Sequence, residues 1–592
     1  MRLLNKSHFL FFPEGAENAV RDYLINTADI IIEAGVLSLL IFAPLAYGSV
    51  EVWSQTLLEL ALLFILFIWI SKTFIDGRIV IYRSPVDMPL AVFFALVIVS
   101  RFISIYPHIS QMAVYRVTAY TVLYWAVVNN FVSRRKLKRL SLYLIALATA
   151  ISLIGILGYF YKTPLSSLWQ YASFSTFTTT SHFCGYIGMV FPLGLALLLF
   201  TKGYKKVYFF FSCAVIIAAA LLSQDRGGWV QFISAIIFLV VAAAYGGLLK
   251  RRGAVLLFIG ILFAWAISIY GLPAIMRRLA PIFTLNFRAS KEATIWERWL
   301  YWQDTLKMIK SHPVLGTGIG TFPIAFPQFR SPQVVNFINF AHQDFLQLAA
   351  EMGLAGLAVF AWLLFSFFKA GLNLLKGNIG SYRKALISGI LAGACGLLVY
   401  SLYDFNLHIP SNAILFVVLI GLVGALSRLI SIESGRENNF WLNRKLNIPL
   451  RLGVFLIAAY VISQLAVSIA KPYRAYLHYE KGRLFEEKFQ WNKAINEYNK
   501  AKEADPRDAL YYSALGNIYA ARAPFDFLDK DYTELAVNNY NKAIRLNPYQ
   551  GDYYISLANL YNILGNKELE AENKNKALSL DPNNMAYKEL AR

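Results

Sequence analysis

The chain alternates long apolar runs with short polar joints. Thirteen runs approach the ~20 apolar residues that a bilayer-crossing helix needs: about 28–50, 53–71, 87–105, 112–132, 140–161, 183–201, 206–222, 229–249, 254–272, 353–370, 384–403, 411–430 and 450–470. Run length, and the need to satisfy every backbone polar group in lipid, favour helices over strands. Two stretches break the pattern: a polar, aromatic joint at 273–352 and a tail at 471–592 with no such run. The expected fold is therefore all-α, a polytopic membrane protein of about 12–13 transmembrane helices. Its parts are an N-terminal segment (1–27), helices 1–9 (28–272), a large extracytoplasmic helical loop domain (273–352), helices 10–13 (353–470) and an α-helical tail (471–592).

The tail has its own period. Ala501, Ala543 and Ala577 recur with Pro506, Pro548 and Pro582, at spacings of 42 and 34 residues. The longer spacing fits a 34-residue unit plus an insert at Ala523–Lys530. A 34-residue helix-turn-helix unit with small, aromatic and Pro positions is the tetratricopeptide pattern, so the tail is expected to form an α-solenoid of about three repeats. Asp529 in the insert and Asp531 just after it read as solvated loop acids rather than metal ligands.

Charge orients the runs. The chain carries a formal +21, yet residues 471–592 hold 18 basic and 17 acidic side chains, so nearly all the excess lies in the first 470 residues. Basic clusters follow alternate runs: Lys72/Arg78/Arg83, Arg134–Arg139, Lys202/Lys205/Lys206, Lys250–Arg252, Lys369/Lys376/Arg383/Lys384 and Arg444/Lys445/Arg451. That is the positive-inside distribution of a multi-pass protein, not a nucleic-acid footprint. It sets the N-terminus in the cytoplasm and puts the 273–352 joint and the tail outside. Cys184, Cys213 and Cys395 fall within runs and read as core thiols. No clustered metal-ligand motif is evident, and no cofactor is expected.

Chemistry-bearing residues gather on the outer side. His182 stands at the mouth of a run, where it either touches a glycan or caps a helix. Asp225-Arg226-Gly227-Gly228 is either a local ion pair or an Arg aimed at an anionic headgroup, with glycines allowing close approach. Within the large joint, Trp299, Trp302, Leu306 and Ile309 recur at helical spacing as an apolar face, and Arg298 flanks Trp302. Gly316-Thr317-Gly318-Ile319-Gly320 is either a tight turn or a nest of N–H groups for pyrophosphate. Asn339 is expected to cap the following helix, placing His342 in its first turn. Asp404 and His408, in the last outer joint, either contact an acceptor sugar or cap a broken helix.

Together these residues resemble the O-antigen ligase and polymerase superfamily, whose pattern is a His followed by Asn, Ser or Gln, nine residues, then Gly-x-x-Gly. His342-Gln343, Asp344 to Met352 and Gly353-Leu354-Ala355-Gly356 fit it. Arg298…Trp302, His312-Pro313 through Phe322, and Asp225–Gly228 resemble its other signatures. Pro44–Glu51 and the repeat tail resemble the subgroup with C-terminal tetratricopeptide repeats. Two departures are Leu357 after the second Gly and Ser181 before His182.

The resemblance implies a glycosyltransferase of the bacterial inner membrane with its catalytic loop and repeats in the periplasm. Its donor would be a glycan on polyprenyl pyrophosphate, and its acceptor lipid A–core or another glycan. His342 and Arg298 are the expected catalytic residues. Arg226, Arg298 and Arg288 would hold the pyrophosphate, in place of a divalent ion. His182, Asp404, His408 and Gln343 would contact acceptor or donor. In-line attack by the acceptor hydroxyl predicts inversion, with His342 either the base or an orienting group. Polymerase and protein-glycosylating activities share this chemistry, and a polysaccharide transporter or scaffold is the reading from a different class. The repeats are expected to engage a protein partner or a second copy, and their deletion to spare basal transfer.

Overall fold

The computed structural model describes residues 16–161, 172–248, 294–435, 440–523 and 531–591. The expected run at 254–272, Arg288 and most of the insert at 523–530 lie outside them. In chain order the longer helices are α1 (Ala16–Leu45), α2 (Val52–Asp76), α3 (Asp87–Ile103), α4 (Pro107–Asn130), α5 (Arg134–Phe160), α6 (Thr180–Phe200), α7 (Lys205–Leu222) and α8 (Arg226–Tyr245). There follow α9 (Thr294–Ser311), α10 (Asp344–Lys376), α11 (Ser381–Tyr400), α12 (Pro410–Glu433) and α13 (Ile448–Glu486). The tail adds α14 (Trp491–Ala504), α15 (Ala509–Arg522), α16 (Asp531–Leu546), α17 (Gly551–Ile563), α18 (Lys567–Leu580) and α19 (Met585–Ala591).

Among the described residues, ten helices are long and apolar enough to cross a membrane. The runs at 87–105 and 112–132 are helical too, as α3 and α4, but fall short of that measure. At 17 residues α3 is brief, and α4 carries His108, Gln111, Arg116, Asn129 and Asn130 along its length.

The centre of the spanning part is α6, buried along nearly its whole length against α11, α8 and α7. Small residues permit the approach: a Cβ on Gly393 of α11 would sit 2.1 Å from the Met189 carbonyl of α6. At the other extreme, the apolar part of α13 packs mainly on α2 among the helices of the spanning part and is exposed along most of its length.

A short ribbon departs from the all-α expectation. Strands β1 (Arg78–Tyr82) and β2 (Phe440–Lys445) pair antiparallel, with Arg78 opposite Lys445. Trp441 receives the Arg83 guanidinium 4.7 Å above its ring and donates to Asp87 Oδ2 (3.1 Å). The same end of the bundle holds Glu433, bridged by Arg134 and Arg383 at 2.7 Å each. Nearby, Glu33 of α1 pairs with Arg139 and Lys136 of α5 at 3.1 and 3.5 Å.

The opposite end gathers the α3–α4 turn, the starts of α6 and α8, the segment from α9 to α10, the 401–409 joint and the tail. In the tail, successive helices pack in series from α13 to α19. Ala501, Ala543 and Ala577 are fully buried where they meet their neighbours.

Candidate functional site

The site forms around the joint between α11 and α12, which meets four other segments. Arg298, on α9, donates from Nη1 to the Tyr403 carbonyl (2.8 Å). Tyr403 OH donates to the Gly227 carbonyl (2.5 Å), next to Arg226 at the start of α8. Tyr400 OH donates to Asp225 Oδ2 (2.5 Å), which also accepts from Gly228 N (2.8 Å) as the N-cap of α8. Asp225 is thus fixed by a tyrosine and a helix start. Arg226 is half-buried in the first turn.

Two histidine–carboxylate pairs cross between the 342–344 and 404–408 segments. His342 Nδ1 lies 3.7 Å from Asp404 Oδ1, beyond hydrogen-bond length but within ion-pair range. His408 Nδ1 lies 2.7 Å from Asp344 Oδ1, and Asp344 Oδ2 accepts from Leu407 N (3.0 Å). Phe405 lies among the rings, stacked on Phe340 at 4.2 Å and edge-on to His342 at 4.9 Å and His182 at 5.2 Å. Burial pushes the Asp404 carboxyl up, but His342, the Arg298 guanidinium and its own Phe405 N–H together hold it below the usual carboxylate range. Burial pushes His408 down, and the bond and charge of Asp344 outweigh it, so its pKa is raised.

His342 does not enter the helix. The cap is Gln343, whose side chain accepts from Leu346 N, not Asn339. His342 precedes it with φ 51, in the left-handed region. Gln343 therefore spends its side-chain oxygen on the helix start. His182 is buried at the start of α6, and neither ring nitrogen has a hydrogen-bond partner among the described residues. Ile309, expected on an outer apolar face, is buried with Leu300, Tyr301 and Met308; Trp296, Trp299 and Leu306 are the exposed side of α9.

The glycine-rich turn is already occupied. Gly320 N and Phe322 N donate to the two carboxylate oxygens of Glu351 (2.7 and 3.3 Å). Thr317 N and Gly318 N donate to the carbonyls of Ala350 and Glu351 (3.1 and 2.9 Å), and Ile319 N to Ser100 Oγ (2.7 Å). An internal carboxylate takes these donors, which favours the tight-turn reading over a nest for pyrophosphate.

Gly353 is the counterpart on α10. It breaks the helix at φ 66, and Leu354 N and Ala355 N donate to the carbonyls of Pro313 and Val314 (2.8 and 3.2 Å). A Cβ there would lie 2.1 Å from the Val314 carbonyl. Gly353 thus admits the 312–316 turn rather than a neighbouring helix.

Beneath the site, a cavity of about 240 Å³ lies between α3, α4, α10 and α12. Its walls are mostly apolar, with Arg116, Glu351, Asp344 and His408 at one side. Arg116 Nη2 donates to Gln55 Oε1 (2.6 Å). Among the described residues, no group of three or more His, Cys, Asp or Glu is placed to hold a metal ion.

Of the expected site residues, the structure brings Arg298, His342, Asp404, His408, Gln343 and His182 into one cluster, with Arg226 at its edge through Gly227. Tyr400, Tyr403, Asp344, Phe405 and Arg116 were not singled out for roles. The available signal was the mirrored order His342-x-Asp344 against Asp404-x-x-x-His408.

No curated protein matches the chain. Among solved structures, the crystal structure of the APC/C hetero-tetramer Cut9-Hcn1 aligns at 13% identity over 82% of this chain and 93% of that one. Its TM-score of 0.20 carries no argument. The family model described as O-Antigen ligase matches residues 211–361, a stretch that contains Arg226, Arg298, the glycine-rich turn, His342 and Gly353. Over those residues the chain is homologous, at the level of the family, to the O-antigen ligases.

Proposed function

We propose that the protein transfers a glycan from polyprenyl pyrophosphate to an acceptor hydroxyl at the outer face of the bacterial inner membrane, most specifically as a ligase onto lipid A–core. The observation that carries this reading is the convergence of Arg298, bonded to Tyr403, and His342, within ion-pair range of Asp404, on neighbouring residues.

In that reaction the acceptor oxygen attacks the anomeric carbon as the sugar–pyrophosphate bond breaks on the opposite face. His342 accepts the hydroxyl proton on Nε2. Asp404, ionised at neutral pH, faces Nδ1 and stabilises the imidazolium that forms. The pyrophosphate leaves with growing negative charge, which is costly beside lipid unless cations are already in place. Arg298 and Arg226 supply it, Arg being permanently charged and able to bind phosphate with two donors; Arg288 is the third member of this proposed set. His182, His408 and Gln343 support the sugars. The apolar cavity beneath the site takes the isoprenoid next to the headgroup, and the C-terminal helices are a tetratricopeptide array on the periplasmic side.

The test is transfer from a defined lipid-linked glycan to lipid A–core by purified protein, with and without chelator. His342→Ala and Arg298→Ala are each expected to lower kcat about 10²- to 10⁴-fold. Undiminished transfer by both variants rules the mechanism out. A chelator that stops the wild type rules out the metal-free form of it. Products elongated on the carrier, without capped lipid A–core, identify a polymerase instead.

A further inference from the structure

Among the described residues, the C-terminal helices meet the rest of the chain at two built contacts. At the first, Tyr106 OH donates to Asp508 Oδ1 (3.0 Å) and accepts from Ala509 N (3.0 Å). His108 Nε2 lies 3.5 Å from Asp505, and Tyr106, Ile324, Ala509 and Ala543 share one buried apolar cluster. At the second, Arg330 grips Asp581 with two parallel bonds, Nε to Oδ1 (2.7 Å) and Nη2 to Oδ2 (2.6 Å). The Arg330 carbonyl also accepts from Asn583 Nδ2 (2.7 Å). The two side chains are only 10% and 11% exposed.

Arg330 holds the segment that leads to His342 as well as the tail. Its Nη1 donates to the carbonyls of Val334 and Val335, each at 3.2 Å. Its neighbour Ser331 donates from N and Oγ to Asp304 of α9, each at 2.7 Å. From there to α10 the chain has no helix or strand. Val334, near the start of this stretch, and Ala341, at its end, are buried with Leu300 and Tyr301 of α9. The Tyr301 ring lies 6.1 Å from that of His342.

We propose that Asp581 is a positioning residue for His342: by fixing the Arg330 guanidinium it keeps residues 331–342 pressed on α9, so the tail completes the site. The step from segment to chemistry rests on the reading of His342 as proton acceptor. The physical reason is the fork. A planar guanidinium held by a carboxylate on one edge presents its remaining N–H to the Val334 and Val335 carbonyls in a fixed plane. Without Asp581 the buried charge is uncompensated, and the side chain turns toward water, releasing both carbonyls. This revises the expectation that the tail is dispensable for basal transfer.

The test uses the full chain in lipid nanodiscs, as wild type, Asp581→Ala and Asp581→Glu, read by amide hydrogen exchange and by transfer kinetics. In Asp581→Ala, amides of 331–341 are expected to exchange about tenfold faster, while those of α6 and α11 do not change. Its kcat falls about tenfold at nearly constant KM for the donor, and Asp581→Glu restores most of both. If Asp581→Ala unfolds α18, Asp581→Asn, which keeps the shape, decides by the same readouts. Unaltered exchange at 331–341 overturns the proposal whatever the turnover. Faster exchange with unchanged kcat overturns the link to His342. If the wild type transfers nothing, the functional reading fails, and the exchange data alone decide whether Asp581 orders the segment.

Discussion

His408 and Asp404 are oppositely perturbed members of the two crossed pairs, and the signs of their shifts separate them. The folded-state pKa of His408 is raised, so its stabilising contribution is complete below the unfolded value near ~6.5 and is lost as pH rises through the folded value. That of Asp404 is lowered, so its contribution is complete above ~4 and is lost only as pH falls through the folded value. The expected melting profile therefore slopes downward as pH rises above ~6.5. His408→Gln should flatten that slope while leaving the acid side alone; an unchanged slope would show that the His408–Asp344 pair does not set it. His342 carries a different load. A non-glycine residue in the left-handed region costs of order 1 kcal/mol or more, and it persists here between a buried Ala341 and the Gln343 cap. Such strain is common where a side chain must be aimed.

Among elements, the 312–322 turn and the first part of α10 act as one unit. Four N–H groups of the turn end on the carboxylate or carbonyls of residues 350–351, and Gly353 lets the turn's backbone cross the helix. Gly353→Ala places a methyl group against the Val314 carbonyl and forces a positive φ on alanine. The expected loss is about 3 kcal/mol or more, seen as a lower melting temperature in detergent. A neutral result would mean that the turn can lift off α10 at little cost. Most of the described helices were legible because their runs are long and nearly free of charge. The ribbon was not, because β1 and β2 are short, basic and distant in sequence, and their charges read first as a loop signal. The apolar face assigned to α9 was half right: periodicity marked a face, but not that Ile309 turns inward while Trp296 and Trp299 stay out. The glycine run was legible as a turn. That its donors were already committed to Glu351 was not, because the acceptor lies on another element.

At the scale of the molecule, the two ends of the bundle differ in kind. One carries the ribbon and the Arg134–Glu433–Arg383 bridge; the other carries the described residues of the proposed site and the tail. Alternating charge predicts that the first faces the cytoplasm. A cysteine at exposed Val335 should react with a membrane-impermeant maleimide in intact spheroplasts, and one at Arg135 only after lysis; the reverse pattern would invert the topology. His342, Arg298 and Arg226 stand out locally in the sequence, whereas the bond between Arg330 and Asp581 joins residues 251 positions apart and carries no local mark.

That separation also sets a time. At about 5–20 residues per second, a ribosome adds Asp581 roughly 10–50 s after Arg330. In the interval the nascent chain already has Arg298 and His342 but lacks the proposed clasp on residues 331–342. A chain stalled before α18 would therefore lack this clasp, and on the proposed reading it would turn over its donor about tenfold more slowly.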